Sequence, residues 1–126
     1  MAVKDNNVIE AQNLPGLSHQ TLAGPRDGLK GMEVWMQTIS AGAATPVHRH
    51  DCEEVIVVQS GSGTCMVEGA VTEFGPNSTL VLPANSVHQI CNTGAEDMRI
   101  VATLGMAPVR VETADGELMD LPWYQD

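Results

Sequence analysis

The chain has 126 residues, of which 16 are Asp or Glu and 6 are Lys or Arg, and its formal net charge at pH 7 is -10. This charge repels nucleic acid and anionic membrane surfaces, and no apolar run approaches the ~18 residues that a membrane span needs. The length suits one domain with one core. Because the N-terminus also lacks the apolar region of a signal peptide, we expect a soluble, single-domain protein of the cytoplasm.

Residues 1–30 are irregular in pattern, and we expect them to form an N-terminal arm. Within this arm PGLSHQTLAGPRDG is typical of turns with one short strand at most. Short segments rich in β-branched residues then dominate residues 31–112. In chain order the predicted strands are GMEVWMQTIS, EEVIVVQ, GTCMVEG, STLVLP, SVHQICN, MRIVATLG and APVRVET. Regular glycine and proline punctuation between them predicts an all-β antiparallel sandwich or barrel.

Residues 113–126 are predicted to be a C-terminal tail that ends in LPWYQD. Trp123 and Tyr124 make this tail too apolar to leave in water. It is either a dimer contact that covers the sheet or one wall of a ligand pocket. The chain has three cysteines, Cys52, Cys65 and Cys91. Their number is odd and their spacing is not that of a disulfide framework or a zinc ribbon, so we expect reduced thiols.

Three of the four histidines occur in a pattern that suits a metal ion. Side chains alternate along a strand, so His48 and His50 share one face. Glu54 has the same parity, and a bend at residues 51–52 would fold it back toward them. His88 opens another strand, which a barrel would bring opposite the first pair. Three neutral imidazoles and one carboxylate suit zinc, iron, manganese or nickel, with one or two positions left open.

The charge of such a site limits its ligand. A divalent ion with three neutral histidines and one glutamate carries about +1 net, which one carboxylate neutralises. Arg49 points away from the histidine face, so the arginine clamps that phosphate groups need are missing. Trp35 and Gln37 share a strand face, and Thr45 and Pro46 precede the first histidine. The predicted chamber is therefore mostly apolar and suits a small carboxylate with a flat or apolar body.

Two classes of function remain open. The protein is either a binding module in which the metal anchors a small acid, or a metalloenzyme such as a dioxygenase, isomerase or lyase. An enzyme needs a general acid or base near the metal, and the candidates are few: Tyr124, then Asp51 and Glu54. His19 is expected to be a surface or packing residue rather than one that supports a metal ligand. The scarcity of proton-transfer groups favours binding, and the catalytic residues of an enzyme stay unknown.

The histidine pattern resembles the two motifs of the cupin superfamily, which implies a jelly-roll barrel, also called a double-stranded β-helix. The second motif departs from the family at Asn85, where a glycine is usual, and at Gly75, which lies two residues further from Pro83. The positions that carry the resemblance are Gly42, His48, His50, Glu54 and Gly61 in the first motif, and Pro83, His88 and Asn92 in the second.

PGLSHQTLAG, EVWMQTIS, TPVHRHDCEEV and VHQICN further resemble, in order, stretches of the plant auxin-binding protein family over residues 14–112. That resemblance implies a homodimer, with zinc at His48, His50, Glu54 and His88 and an indole-acetic acid carboxylate on the metal. The ring would then contact Leu14, Leu17, Trp35, Gln37, Thr45, Pro46 and Trp123. Gln125 stands where a second aromatic is expected, and the family's secretory signal, disulfide and retention tail are missing, which indicates a bacterial-type cytoplasmic relative.

Overall fold

Nine strands account for most of the regular structure in the computed structural model, which describes residues 2–124. The helical segments in that range are two short 3-10 turns, Asn6–Val8 and Pro25–Asp27, and neither is long and apolar enough to cross a bilayer. The strands are β1 Gln12–Leu14, β2 Leu17–Ala23, β3 Glu33–Ile39, β4 Glu54–Ser60, β5 Gly63–Val67, β6 Ala70–Phe74, β7 Ser78–Leu82, β8 His88–Asn92 and β9 Met98–Leu104. The expectation of an all-β protein is confirmed.

The strands form two antiparallel sheets, in the orders β1-β2-β3-β9-β4-β7 and β6-β5-β8. Side chains alternate as expected along the central strands: in β4, Glu54 and Ile56 are buried while Val55 and Val57 are exposed. Both sheets contribute to one core, with Ile100 from the larger sheet and Ile90 from the smaller. The same alternation therefore turns the Glu54 carboxylate inward, among core side chains.

The N-terminal residues contain more strand than the sequence indicated. β1 and β2 form a hairpin, and β2 pairs with β3 from Leu17 opposite Ile39 to Ala23 opposite Val34. The expectation of one short strand at most is therefore wrong, and the larger sheet begins well before residue 31. Polar residues lie on both faces of LSHQTLA, so this segment has no clear strand pattern of its own. It becomes a strand because it pairs with β3, whose side chains alternate clearly.

Two further segments differ from the structure that the sequence predicted. β6 was not predicted, because it is an edge strand that is exposed along nearly all its length and shows no apolar alternation. The predicted strand at residues 107–113 forms isolated bridges instead. Its residue Glu112 pairs with Arg49, with N–H···O distances of 2.9 and 3.0 Å between their backbones. This segment therefore lies antiparallel to the first histidine segment at Arg49 and does not join either sheet.

Gly61 follows β4 in a conformation that few other residues adopt. Its φ is 94°, which places it in the left-handed region. A Cβ atom there would also lie 2.7 Å from the Cα of Met98, on β9. The turn and the close approach of β9 both require glycine here. Gly61 therefore has a structural role and not one in metal or ligand binding.

Candidate metal centre and ligand pocket

Three histidines and one glutamate meet inside the fold. His48 and His50 lie in the segment before β4, Glu54 is the first residue of β4, and His88 is the first residue of β8. An antiparallel bridge joins His48 to His88, with backbone N–H···O distances of 3.0 and 2.8 Å. One ligand atom from each of the four side chains lies within 4.8 Å of the others. The structure thus brings together all four residues that the sequence singled out, and the cluster can hold a metal ion.

A backbone carbonyl fixes the tautomer of each imidazole. His48 Nδ1 donates to the carbonyl of Pro46 at 2.6 Å, His50 Nδ1 to that of Arg110 at 2.9 Å, and His88 Nδ1 to that of Ser86 at 2.9 Å. A carbonyl oxygen can only accept, so each Nδ1 carries the proton and each Nε2 keeps a free lone pair. This arrangement orients the ring of a metal-binding histidine and fixes its tautomer.

The atoms that face one another in the cluster lack partners. Nε2 of His50, Nε2 of His88 and Oε1 of Glu54 are buried without a hydrogen bond. Glu54 Oε1 lies 3.5 Å from the first nitrogen and 3.2 Å from the second, yet in these tautomers all three atoms are acceptors. Each buried unsatisfied polar atom costs about 1–3 kcal/mol. A cation at their meeting point removes that cost, so the donor set fits a divalent metal.

His48 and His50 are neutral at physiological pH. Burial lowers the pKa of His48 to about 3, assisted by the charge that His88 and His50 would carry when protonated. Burial is also the first cause of the lowered pKa of His50, which outweighs the opposing effect of Glu54. Neutral imidazole is the form that coordinates metals. Cys52 is not part of the cluster, and burial raises the pKa of its thiol to about 11, so it stays protonated.

Asn85, the departure from the second motif, takes the conformation for which glycine is usual. Its φ is 64°, in the left-handed region that asparagine tolerates better than most residues. Its backbone N–H donates to the carbonyl of His50 at 2.7 Å. The turn before β8 is therefore tied directly to the first histidine segment, and the substitution leaves the cluster intact.

A pocket with mainly apolar walls adjoins the cluster. All seven residues that the resemblance implied as ring contacts line it: Leu14, Leu17, Trp35, Gln37, Thr45, Pro46 and Trp123. Sequence reasoning missed other lining residues, namely Ile56, Ile90, Ile100, Val111, Met119 and Leu121. Strand parity with Glu54 and His88 would have indicated Ile56 and Ile90. No local pattern indicated the contribution of residues 111–121.

The C-terminal tail reaches this pocket through a tight turn. Met119 N–H donates to the carbonyl of Val111 at 2.9 Å, and Thr113 N–H to that of Glu117 at 2.8 Å. Trp123 is 5% exposed and lines the pocket, and its indole N–H has no partner. Of the two roles expected for the tail, the geometry corresponds to the pocket wall. Gln125, the departure noted in this segment, lies outside the described residues.

Of the three expected acid and base candidates, Glu54 lines the pocket, whereas Tyr124 and Asp51 lie away from its lining. The hydroxyl of Tyr124 donates to the carbonyl of Met119, and burial raises its pKa. Asp51 is exposed, and its carboxylate accepts from the side chain of Asn85 at 3.3 Å. His19 is fully buried and stacked on Trp123, which agrees with a packing role. Outside the four clustered residues, the described part of the pocket lining contains no group that titrates near neutral pH.

Glu33, which the sequence did not single out, supports the pocket from behind. Its carboxylate is 4% exposed and accepts two N–H groups, from the Trp35 indole at 2.9 Å and from the Val109 backbone at 2.8 Å. It thereby fixes the Trp35 ring and joins β3 to the segment that precedes the tail. Strand parity with Trp35 and Gln37 was the signal that could have identified it.

Replacing Glu33 with alanine is expected to destabilise the protein by about 3–5 kcal/mol, because two buried N–H groups lose a charged acceptor. Urea denaturation followed by far-UV circular dichroism measures the change. Glu73→Ala, at an exposed position on β6, is the matched control and should change stability by less than ~0.5 kcal/mol. Equal losses in the two variants would contradict the role given to Glu33.

Solved structures with the same architecture are cupins. An RmlC-like cupin from Shewanella frigidimarina superposes with a TM-score of 0.74 at 18% identity, covering 86% of this chain and 93% of that chain. A polyketide cyclase from Streptomyces resistomycificus gives a TM-score of 0.74 at 22% identity, covering 87% and 84%. Similarity at these identities establishes the fold alone. The expected jelly-roll barrel is confirmed.

Sequence comparison gives the family. A family model described as auxin binding protein matches residues 3–122. Auxin-binding protein 1 of Arabidopsis thaliana is 43% identical over 107 residues, which cover 77% of this chain. The chain spans 54% of that relative's length. With the family model covering nearly the whole chain, this protein belongs to the auxin-binding protein family.

Proposed function

We propose that the protein holds one divalent transition-metal ion at His48, His50, Glu54 and His88 and binds a small aromatic or apolar carboxylic acid on it. The observation that carries this proposal is the cluster of buried acceptor atoms without protein partners at the pocket. Bound there, the metal would supply a Lewis-acid anchor for a carboxylate. The protein's own residues orient the metal-binding nitrogens and exclude water from the ring of the ligand.

Zinc is the metal that we favour, with Fe²⁺, Mn²⁺ and Ni²⁺ as alternatives. Three imidazole nitrogens and one carboxylate oxygen form a donor set that zinc accepts readily, and the same set also suits the other ions. With neutral histidines, the ion and Glu54 leave a charge of about +1 at the site. One carboxylate neutralises that charge, whereas a dianion would overcompensate it in an apolar pocket.

The walls of the pocket define the body of the ligand. Leu14, Leu17 and Trp35 present apolar surface, and Gln37 and Thr45 are the polar side chains among the predicted ring contacts. Described lysines and arginines do not line the pocket, which disfavours phosphorylated ligands. The relative from Arabidopsis thaliana is named for auxin binding. An auxin-like acid, with one carboxylate and a flat ring, therefore fits this site best.

Titration of indole-3-acetic, phenylacetic and benzoic acids into the zinc-loaded protein is expected to give saturable binding of at least one acid, because the ligand's carboxylate neutralises the site and its ring buries apolar surface. Isothermal calorimetry measures it. The metal-free protein is the control and should give no comparable signal. Zinc retained at one equivalent per chain with no response to any of the acids would refute carboxylate capture while leaving the metal site standing.

A metal-dependent enzyme, such as a dioxygenase, isomerase or lyase, is the alternative proposal. The cupin fold also occurs in a protein described as a polyketide cyclase, but Tyr124 and Asp51 lie off the pocket lining, which supports binding over turnover. Oxygen consumption by the iron-loaded protein that depends on an added small acid would favour the enzyme instead.

The assembly and location of the protein remain part of the proposal. Val55 and Val57 of β4 and Val81 of β7 are 41%, 44% and 71% exposed on the outer face of the larger sheet. A second copy of the chain would cover this patch and the adjacent edge strand, which supports a homodimer. Sedimentation equilibrium tests it.

The three cysteines are free, which is consistent with a cytoplasmic protein. A net charge of -10 supports small molecules rather than nucleic acid or membranes as partners.

A further inference from the structure

His19 is a buried titratable residue that metal binding leaves unused. Its side chain is 0% exposed, and burial lowers its pKa to about 3, so the ring is neutral. Both ring nitrogens have polar partners: Nδ1 lies 3.0 Å from the side-chain nitrogen of Gln37, and Nε2 lies 2.8 Å from Oγ1 of Thr21. A buried histidine with both nitrogens engaged is held in one ring orientation, and the chemistry of its two partner atoms then decides its tautomer.

The partner atoms determine which tautomer that is. The amide nitrogen of Gln37 can only donate, so Nδ1 of His19 must accept, and Nε2–H donates to the hydroxyl oxygen of Thr21. The amide nitrogen is thereby held on the His19 side, and Oε1 of Gln37 has no hydrogen-bond partner within residues 2–124. The opposite amide orientation would leave only N–H donors without partners, and no acceptor.

Ring contacts prevent His19 from turning. The Trp123 ring stacks on it with centroids 4.0 Å apart and planes 9° from parallel, and Trp35 meets its edge at 4.9 Å and 73°. Trp35, Gln37 and Trp123 all line the pocket, whereas His19 stands behind them. His19 therefore connects three pocket-lining side chains without being part of the lining.

We propose that His19 is a positioning residue that keeps Oε1 of Gln37 available as a hydrogen-bond acceptor for the ligand, so that the preferred ligand carries an N–H or O–H donor in addition to its carboxylate. This inference rests on the proposed function. Gln37 lines the pocket. A ligand that covers its amide oxygen without donating to it is therefore penalised, which turns one amide orientation into a specificity determinant.

The test compares two acids of nearly equal shape on the zinc-loaded protein, indole-3-acetic acid and benzofuran-3-acetic acid, of which only the first has a ring N–H. The wild-type protein should bind the indole acid about fivefold to tenfold more tightly. His19→Phe keeps a ring beneath Trp123 but has no nitrogen, and it should lose that preference. Affinity is measured by calorimetry, and metal content shows that each variant keeps its site.

Substitutions at Thr21 separate the tautomer from simple packing. Thr21→Val removes the acceptor of the Nε2 proton, which favours the other tautomer and the reversed Gln37 amide, so the preference for the indole acid should fall. Thr21→Ser restores an acceptor and should restore the preference. Nitrogen-15 spectra of the imidazole should report protonated Nε2 in the wild type and the serine variant. A packing role alone would not distinguish valine from serine in this way.

The outcomes separate the two proposals. If the wild-type protein binds both acids equally, or if His19→Phe and Thr21→Val retain the wild-type preference, the inference is overturned while carboxylate binding stands. If the zinc-loaded wild type binds neither these acids nor the other acids titrated, the proposed function fails and this inference falls with it. Should His19→Phe fail to fold, the comparison of Thr21→Val with Thr21→Ser decides the question alone.

Discussion

Replacing His50 with alanine is expected to reduce bound metal from about one equivalent per chain to background. His50 is 2% exposed, and its Nε2 lies 3.5 Å from the Glu54 carboxylate, so the substitution removes a buried donor atom from the cluster. Loss of a support for a metal ligand already costs about 10–100-fold in affinity, and loss of the ligand itself should cost more. Mass spectrometry of protein purified without chelator measures the metal content.

A second buried histidine provides the control for this substitution. His19→Phe removes an imidazole that is equally buried but lies outside the cluster, and it should retain the wild-type metal content. If His50→Ala kept a full equivalent, or if both variants lost metal alike, the assignment of the metal ligands would be wrong.

Stability should follow metal occupancy. A ligand at 1,000 times its dissociation constant stabilises the folded state by about 4 kcal/mol, so chelator should lower the melting temperature of the wild-type protein. His50→Ala should show no such response, because it has no metal to lose. The apo protein also contains the buried acceptors of His88 and Glu54 in close approach, which adds to the destabilisation on metal removal.

The candidate metal ligands could be predicted from the sequence because the alternation of side chains along a strand is a local property. His48 and His50 share a face by alternation alone, and Glu54 shares their parity across a short bend. That His88 would lie near these residues could be predicted only from closure of the barrel. In the structure, paired backbone hydrogen bonds join His48 to His88. Local pattern thus identified the four residues, and topology brought them together.

The supporting contacts could not be predicted in the same way, because they depend on register between distant segments. The carbonyl that orients His50 belongs to Arg110, which lies 60 residues further along the chain. Likewise, Glu33 reaches Val109 across 76 residues. The N-terminal strand β2 is decided by pairing with β3 rather than by its own composition. In each case the partner is fixed by tertiary packing, which a single sequence does not encode as a local pattern.

Replacing Trp123 with alanine is expected to weaken acid binding by about tenfold, from the loss of ~1.4 kcal/mol of apolar and ring contact. The side chain is 5% exposed and lines the pocket together with Trp35. Its removal should also destabilise the protein by about 3–5 kcal/mol, as for other buried aromatic side chains. Calorimetric titration of the zinc-loaded variant measures the affinity, and urea denaturation measures the stability.

Metal content should not change in this variant, even though the tail and the metal cluster share one segment of chain. The carbonyl of Arg110 orients His50. Two residues further along, the backbone of Glu112 pairs with that of Arg49 independently of Trp123. The Arg49 and Arg110 side chains also bind the Glu112 carboxylate, at 3.2 and 3.0 Å. Loss of the indole therefore removes a pocket wall while leaving the support of His50 in place.

Tyr124→Phe is the matched control, since it keeps an aromatic ring in the tail but removes the hydroxyl that donates to the carbonyl of Met119. It should lower stability by about 1 kcal/mol and leave affinity near the wild-type value. Unchanged affinity in Trp123→Ala, combined with a shift from dimer to monomer in sedimentation, would assign the tail to the subunit interface. A drop in affinity at unchanged metal content and assembly state would instead assign Trp123 to the ligand pocket, because neither metal loss nor dissociation of the dimer could then explain the weaker binding.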